Sequence, residues 1–227
     1  MLRTGVACLV LAVSAAPQSV TIPAPDGGAI LADVYGTGPR AVLLLHGGRL
    51  DRTSWKLQAT ALAADGFRVV AIDFRAAVEA RAGRETGCVY DAACLAKDAI
   101  AAVRYLRDSG ATSVAIVGGS LGGGAAAQAA IEAAPGQIDR VVLLAHMTID
   151  HPERLRVPVL FIVARDDANA GGPRLPGIRE QYEKAAGPKE LVVLDGAAHA
   201  QFLFETPQGG DVLQRIRRFL ETAPSGR

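Results

Sequence analysis

The chain has 227 residues, of which 50% are hydrophobic and 21% charged, with a formal net charge of +1. This length and balance predict one ordinary globular domain and exclude a disordered or fibrous chain. Only 5% of the residues are aromatic and the charges are scattered, so we expect no nucleic-acid partner and no attraction to an anionic membrane.

The N-terminal residues differ in pattern from the rest of the chain. Arg3 supplies one positive charge, and the almost wholly apolar run 6–16 ends in small residues. Such a segment is typical of a secretory signal and is too short to be a permanent membrane anchor. We expect a signal peptide over 1–16, with 17–227 forming a single domain that is secreted or periplasmic. The alternatives are a buried N-terminal element and a cytoplasmic protein.

Strand and helix patterns alternate along the remaining chain. Apolar runs flanked by turn residues predict strands, and apolar positions at helical spacing predict helices. The predicted strands are 19–22, 29–35, 41–45, 68–72, 113–117, 141–144, 159–163 and 191–194, and the predicted helices are 54–65, 92–109, 121–134 and 212–220.

This alternation predicts an α/β fold with a mostly parallel twisted sheet and helices on both faces. The first two strands are joined by the tight turn 25–28, so we expect them to be antiparallel to each other. Two segments, 74–91 and 166–176, are predicted to be long loops. Long loops at strand ends are where binding sites usually lie.

A Gly-x-Ser-x-Gly sequence occupies residues 118–122, directly after a predicted strand and at the start of a predicted helix. In this context the pattern indicates a nucleophile elbow, which presents Ser120 above a helix N-terminus where negative charge is favoured. One alternative is a glycine-rich turn that only packs the helix closely on the sheet. A phosphate-binding loop is disfavoured, because no lysine follows the glycines.

A serine nucleophile needs a base to accept its proton. Among the four histidines, His199 follows the last predicted strand and can reach back over the sheet to the serine. His146 and His151 follow an earlier strand, and His46 belongs to a different motif. His199 is therefore the predicted base.

The base in turn needs an acid that orients it and stabilises its charged form. Asp166 and Asp167 both follow the predicted strand 159–163 at its carboxyl end. Either gives the chain order serine, aspartate, histidine that is expected of a nucleophile-elbow arrangement. On this reasoning the two aspartates remain alternatives.

Two backbone N–H groups are expected to stabilise the oxyanion that forms on the substrate. The N–H of Leu121, directly after the nucleophile, is the first candidate. Gly47 or Gly48, at the end of the strand 41–45, can supply the second, because glycine lets the backbone approach a substrate closely.

Three cysteines are present, and Cys8 lies inside the predicted signal. Cys88 and Cys94 remain as a pair in one segment, and an oxidising compartment would let them form a disulfide. The alternative is two free thiols. The histidines are dispersed and the cysteine pair has no second pair, so we expect no metal and no cofactor.

Together these motifs resemble those of the α/β-hydrolase family over about 20–220. His46-Gly47-Gly48 is similar to the family's oxyanion segment, 118–122 to its elbow, 164–167 to its acid turn and 197–199 to its histidine loop. The register of the acid turn favours Asp167. Two departures stand out: Phe74-Arg75-Ala76-Ala77 replaces the usual Arg-Gly-x-Gly, and the segment between Leu144 and Val157 is too short for a helical cap.

The resemblance implies a capless serine esterase similar to dienelactone hydrolases, although those enzymes use a cysteine where this chain has Ser120. We therefore expect hydrolysis of small carboxylic esters through an acyl-enzyme, with a small-molecule ester as the partner. Peptidase, amidase or acyltransferase activity and a non-catalytic binding protein remain alternatives. The residues do not indicate an oligomeric state.

Overall fold

The computed structural model of the protein describes residues 16–88 and 91–222. Residues 1–15 of the expected signal peptide lie outside this part of the chain, so the signal remains a prediction. Every helix in the described part is too short or too polar to cross a membrane.

Strands and helices alternate as predicted. The strands are β1 Gln18–Pro23, β2 Ala29–Tyr35, β3 Arg40–Leu45, β4 Arg68–Ile72, β5 Ser113–Gly119, β6 Arg140–Leu144, β7 Val159–Ala164, β8 Ala168–Asn169, β9 Gly172–Pro173 and β10 Lys189–Leu194. The helices are α1 Lys56–Ala64, α2 Arg75–Arg81, α3 Ala92–Asp108, α4 Leu121–Glu132, α5 Leu175–Lys184 and α6 Gly209–Glu221, with 3-10 turns at Arg52–Trp55, Pro152–Arg154 and Ala200–Glu205.

One eight-stranded sheet has the order β1-β2-β4-β3-β5-β6-β7-β10. Six neighbouring strands of this sheet run parallel: β4, β3, β5, β6, β7 and β10. Strand β2 pairs antiparallel with both β1 and β4. The predicted mostly parallel sheet with antiparallel first strands is therefore confirmed. The carboxyl ends of β3, β5, β7 and β10 consequently lie along the same edge.

Both faces of the sheet are covered, as expected. In β3, Leu43 and Leu45 pack on the face covered by α3 and α4, whereas Val42 and Leu44 pack on the face covered by α1 and α6. Burial on both faces explains why the central strands are continuous apolar runs without polar alternation.

The prediction of an irregular loop over 74–91 is wrong for its first part, which forms the helix α2. Ala76 and Ala77 are buried against the core, and alanine favours helix. The Asp98 carboxylate accepts hydrogen bonds from the backbone N–H of Arg75 at 2.9 Å and from its Nε at 2.7 Å. A contact from α3 thus adds to this local helix preference and stabilises the first turn of α2.

The prediction of a loop over 166–176 is also wrong in part. This segment contains the short antiparallel pair β8 and β9 and the first residues of α5. Neither α5 nor the turn Ala200–Glu205 was predicted. The buried residues of α5 are only Leu175 and Ile178, so its apolar pattern is weak.

Cys88 and Cys94 are joined by a disulfide, with 5.5 Å between their Cα atoms. Cys94 lies in the first turn of α3, whose N-terminus is capped by the Asp91 side chain. Closing so short a loop contributes about 2 kcal/mol in the chain-entropy model. The bridge ties the segment before α3 to that helix.

Candidate active site

Ser120 lies on the turn between β5 and α4 in a backbone conformation that is rare for a residue with a side chain. Its φ is 52° and its ψ is −115°. Its N–H donates to the carbonyl of Leu144 at 2.8 Å, and its carbonyl accepts from Met147 N–H at 3.1 Å. A Cβ at Gly118 would overlap the Gly122 backbone. These contacts hold the turn, which aims the hydroxyl away from the sheet.

The structure brings His199 to this hydroxyl. His199 Nε2 lies 2.8 Å from Ser120 Oγ, although the two residues are 79 positions apart. The other ring nitrogen, Nδ1, lies 2.7 Å from Oδ2 of Asp167. Since a carboxylate only accepts, Nδ1 carries the proton and Nε2 is free to accept the serine hydrogen. Three side chains are thus hydrogen-bonded in series.

The two candidate aspartates have different surroundings. Asp167 is buried, with its side chain 2% exposed, and its Oδ1 lies 3.5 Å from Nε of Arg174. Asp166 is exposed and its side chain makes no hydrogen bond within the described residues. The geometry therefore selects Asp167 as the partner of His199.

The candidate oxyanion donors also differ. Gly47 N–H donates to Oε1 of Gln201 at 2.9 Å, so this group is already used. Gly48 N–H and Leu121 N–H have no acceptor within residues 16–88 and 91–222. Both residues line the cleft that contains Ser120. Of the two glycine alternatives, only Gly48 has a free N–H.

Buried polar contacts hold the segment before Gly48. His46 is fully buried, and burial lowers the pKa of its ring, which favours the neutral form. Its Nδ1 lies 2.8 Å from the Gly47 carbonyl, to which it donates, and its Nε2 accepts Phe74 N–H at 3.2 Å. The Asp73 carboxylate accepts hydrogen bonds from the backbone N–H and the guanidinium group of Arg52, the first residue of the 3-10 turn Arg52–Trp55. His46 therefore orders the backbone and does not reach the serine.

Ser120 and His199 open into a cleft of about 560 Å³. Its walls combine apolar groups such as Met147 and Phe202 with the side chains of Arg49 and Arg174. Such a cleft accommodates a small molecule. Within the described residues, no group of three or more histidine, cysteine or acidic side chains could hold a metal ion.

Gln201, Arg49 and Arg174 line the cleft but were not identified from the sequence. Each is a single polar residue in a loop or at a helix start, and no motif marks it. The proximity of Gln201 to His199 in the chain is the one signal that could have indicated it.

The rings of the remaining two histidines make their hydrogen bonds to other residues and not to Ser120. His151 is exposed and pairs with Glu153 at 3.2 Å. His146 is buried beside Phe161, and its Nε2 lies 3.3 Å from Oε1 of Gln181. Burial lowers the pKa of His146 to about 4, so its ring is neutral in the folded protein near pH 7.

This burial predicts a pH-dependent stability. Unfolded His146 takes up a proton near its ordinary pKa of 6.5, whereas the folded form does so only near 4. The free energy of unfolding should therefore fall as the pH drops from 6.5 to 4, by up to about 3 kcal/mol from this residue. Denaturant titrations should show this extra loss in the wild type and not in His146→Gln. Parallel pH profiles for the two proteins would contradict the prediction.

The fold and the nucleophile elbow together define the class of protein. A mostly parallel sheet covered by helices on both faces, with a serine on a strained strand-to-helix turn, is the architecture of α/β proteins that carry a nucleophile elbow. Residues 40–183 match the family model described as the alpha/beta hydrolase fold. The chain therefore belongs to the α/β-hydrolase family, and the resemblance inferred from its motifs is confirmed.

Solved structures of the same fold are similar over nearly the whole chain. A dienelactone hydrolase from Anabaena variabilis has 24% identity and a TM-score of 0.72, covering 90% of this chain and 97% of that one. An esterase from Exiguobacterium antarcticum has 15% identity and a TM-score of 0.70, covering 90% and 100%. The Pyrococcus furiosus esterase Pf2001 has 18% identity and a TM-score of 0.73, covering 90% of each chain. None of the curated protein sequences matches the chain.

Proposed function

We propose that this protein is a serine hydrolase that cleaves small carboxylic esters through an acyl-enzyme on Ser120. The observation that carries the proposal is the series of hydrogen bonds from Ser120 to His199 at 2.8 Å and from His199 to Asp167 at 2.7 Å. Its membership of the α/β-hydrolase family and its likeness in fold to esterases support the same reaction.

The first half-reaction acylates the serine. Ser120 Oγ attacks the ester carbonyl carbon while His199 Nε2 accepts the hydroxyl proton. The charge that develops on the carbonyl oxygen is stabilised by the N–H groups of Leu121 and Gly48, and Asp167 stabilises the imidazolium. The carbon–oxygen bond to the alcohol then breaks, and His199 returns the proton to the leaving oxygen.

The second half-reaction releases the acid. A water molecule gives a proton to His199 and attacks the acyl carbon, again with the oxyanion on the same two N–H groups. The bond to Ser120 Oγ breaks, and the serine recovers its proton from His199. Amide cleavage and transfer of the acyl group to another acceptor use the same steps.

The cleft favours small acyl groups over long ones. The cationic residues Arg49 and Arg174 are among those that line it, so a long alkyl chain would lie beside charged side chains or in water. The segment between β6 and β7 forms only the 3-10 turn Pro152–Arg154 and adds no apolar cover over the site. A longer acyl chain therefore does not gain the stabilisation of about 0.8 kcal/mol that burial of each further methylene gives in an apolar pocket.

A series of p-nitrophenyl esters tests the proposal. The acetate and butyrate should be hydrolysed at least about tenfold more efficiently than the palmitate, and Ser120→Ala should remove the activity. Absence of hydrolysis above the Ser120→Ala background for every ester would favour a binding protein. A maximum at palmitate would contradict the small-substrate class while leaving the hydrolase itself intact.

A further inference from the structure

The side chain of Gln201 connects the histidine loop to the predicted oxyanion segment. Gln201 follows His199 by two positions, on the turn Ala200–Glu205, and is only 6% exposed. Its Oε1 accepts Gly47 N–H at 2.9 Å, and its Nε2 donates to Ser54 Oγ at 2.6 Å. The oxygen and the nitrogen of this buried amide are therefore both hydrogen-bonded, to residues 154 and 147 positions away in the chain.

The same side chain packs against the nucleophile elbow. A Cβ at Gly119, directly before Ser120, would lie 2.9 Å from Oε1 of Gln201 and 3.3 Å from the Cβ of Ala200. Ala200 itself has a φ of 50°, a conformation that costs energy for a residue with a side chain. One amide thus touches the elbow and the glycine segment while belonging to the loop that carries the histidine.

The pattern of donors and acceptors fits glutamine specifically. Gly47 N–H can only donate, so it faces the amide oxygen. The Ser54 hydroxyl gives its hydrogen to the Asp51 carbonyl at 2.6 Å, so it accepts from the amide nitrogen. Methionine has a similar length but supplies neither the amide acceptor nor the amide donor, and asparagine is one methylene shorter.

The hydrogen bond between Gln201 and Gly47 N–H affects which backbone N–H group can donate to the substrate. Because Gly47 N–H is directed to Gln201, the next free N–H in the chain is that of Gly48, which lines the cleft with Ser120. The Gly48 N–H shares a peptide plane with the Gly47 carbonyl, which lies 2.8 Å from His46 Nδ1. Gln201 therefore holds the N–H side of Gly47, and His46 holds its carbonyl side.

We propose that Gln201 is a positioning residue that holds the Gly47–Gly48 segment, so that Gly48 N–H meets the oxyanion formed at Ser120. The inference rests on the proposed hydrolase function. Gln201 acts through Gly47 and makes no bond to the reacting atoms. Loss of its amide should therefore weaken binding of the transition state more than binding of the ester.

Steady-state kinetics of Gln201→Met test this role. We expect kcat to fall by about 10- to 100-fold with KM within about threefold, because a misplaced donor costs somewhat less than a missing one. A boronic acid forms a tetrahedral adduct with the serine, so its inhibition constant should rise by a similar factor. Gln128→Met is the matched control: it makes the same change in a side chain that donates only to the exposed Glu132 on α4, so kcat should change by less than about threefold.

Hydrogen exchange of the Gly47 amide provides a readout that does not need activity. Its exchange should be faster in Gln201→Met than in the wild type, while amides in β5 keep their protection. If the wild type hydrolyses no ester, the proposed function fails, and unchanged exchange at Gly47 would show separately that Gln201 does not hold the segment. In an active enzyme, an unchanged kcat, or a rise in KM alone, would overturn the positioning role.

Discussion

Replacing His199 with alanine should lower kcat for a short ester by about four to six orders of magnitude. The hydroxyl of Ser120 donates to Nε2 of this ring at 2.8 Å. Without the imidazole, the serine has no group to accept its proton and the leaving alcohol has no acid. His199 is only one of the thirteen residues that line the cleft, so KM should change far less than kcat.

A matched variant separates this effect from a general effect of losing an imidazole. His151 is exposed and pairs only with Glu153, so His151→Ala should leave kcat within about twofold. Circular dichroism should show both variants folded. Near-normal turnover in a folded His199→Ala protein would remove His199 from the reaction.

Replacing Asp167 with asparagine should lower kcat by about 10⁴-fold, the loss that this change causes in a Ser-His-Asp triad. The carboxylate accepts the Nδ1 proton at 2.7 Å. An asparagine that turns its N–H₂ toward the ring forces the proton onto Nε2, which then cannot accept the hydrogen of Ser120. The loss should therefore appear in kcat, measured with an ester that the wild type turns over.

Asp166→Asn is the control for this prediction. Asp166 is adjacent in the chain but exposed, so its amide variant should keep wild-type kcat within about twofold. Asp167 also lies 3.5 Å from Arg174 Nε, and thermal unfolding should be measured to check that the Asp167 variant is folded. Equal losses in the two variants would contradict the assignment of Asp167.

Much of the fold could be predicted because its signals are local. The central strands are buried on both faces, so each is a continuous apolar run, and β2 and β4 were predicted with their observed bounds. The alanines of α2 are a local helix signal that the prediction of a loop overlooked, whereas the support of its first turn by Asp98 of α3 is a long-range contact. Contacts between residues far apart in the chain leave no pattern in either segment.

The residues of the candidate site likewise divide into those that local signals predict and those that depend on contacts between distant parts of the chain. Ser120 is predicted because an elbow needs glycines at fixed positions, and His199 is predicted because it follows the last strand of the main sheet. Motif register could favour Asp167 over Asp166, but only burial and the 2.7 Å contact with His199 distinguish them physically. The use of Gly47 N–H by Gln201 spans 154 positions, so no local reasoning could choose between Gly47 and Gly48.

The most direct measurement is covalent labelling with a fluorophosphonate, followed by mass spectrometry of the digested protein. This reagent phosphonylates a serine whose proton a neighbouring base can accept. The wild type should carry one adduct, on the peptide that contains Ser120, and Ser120→Ala should carry none. An unlabelled wild type, or equal labelling of both proteins, would contradict the claim that Ser120, His199 and Asp167 act together as a nucleophilic centre.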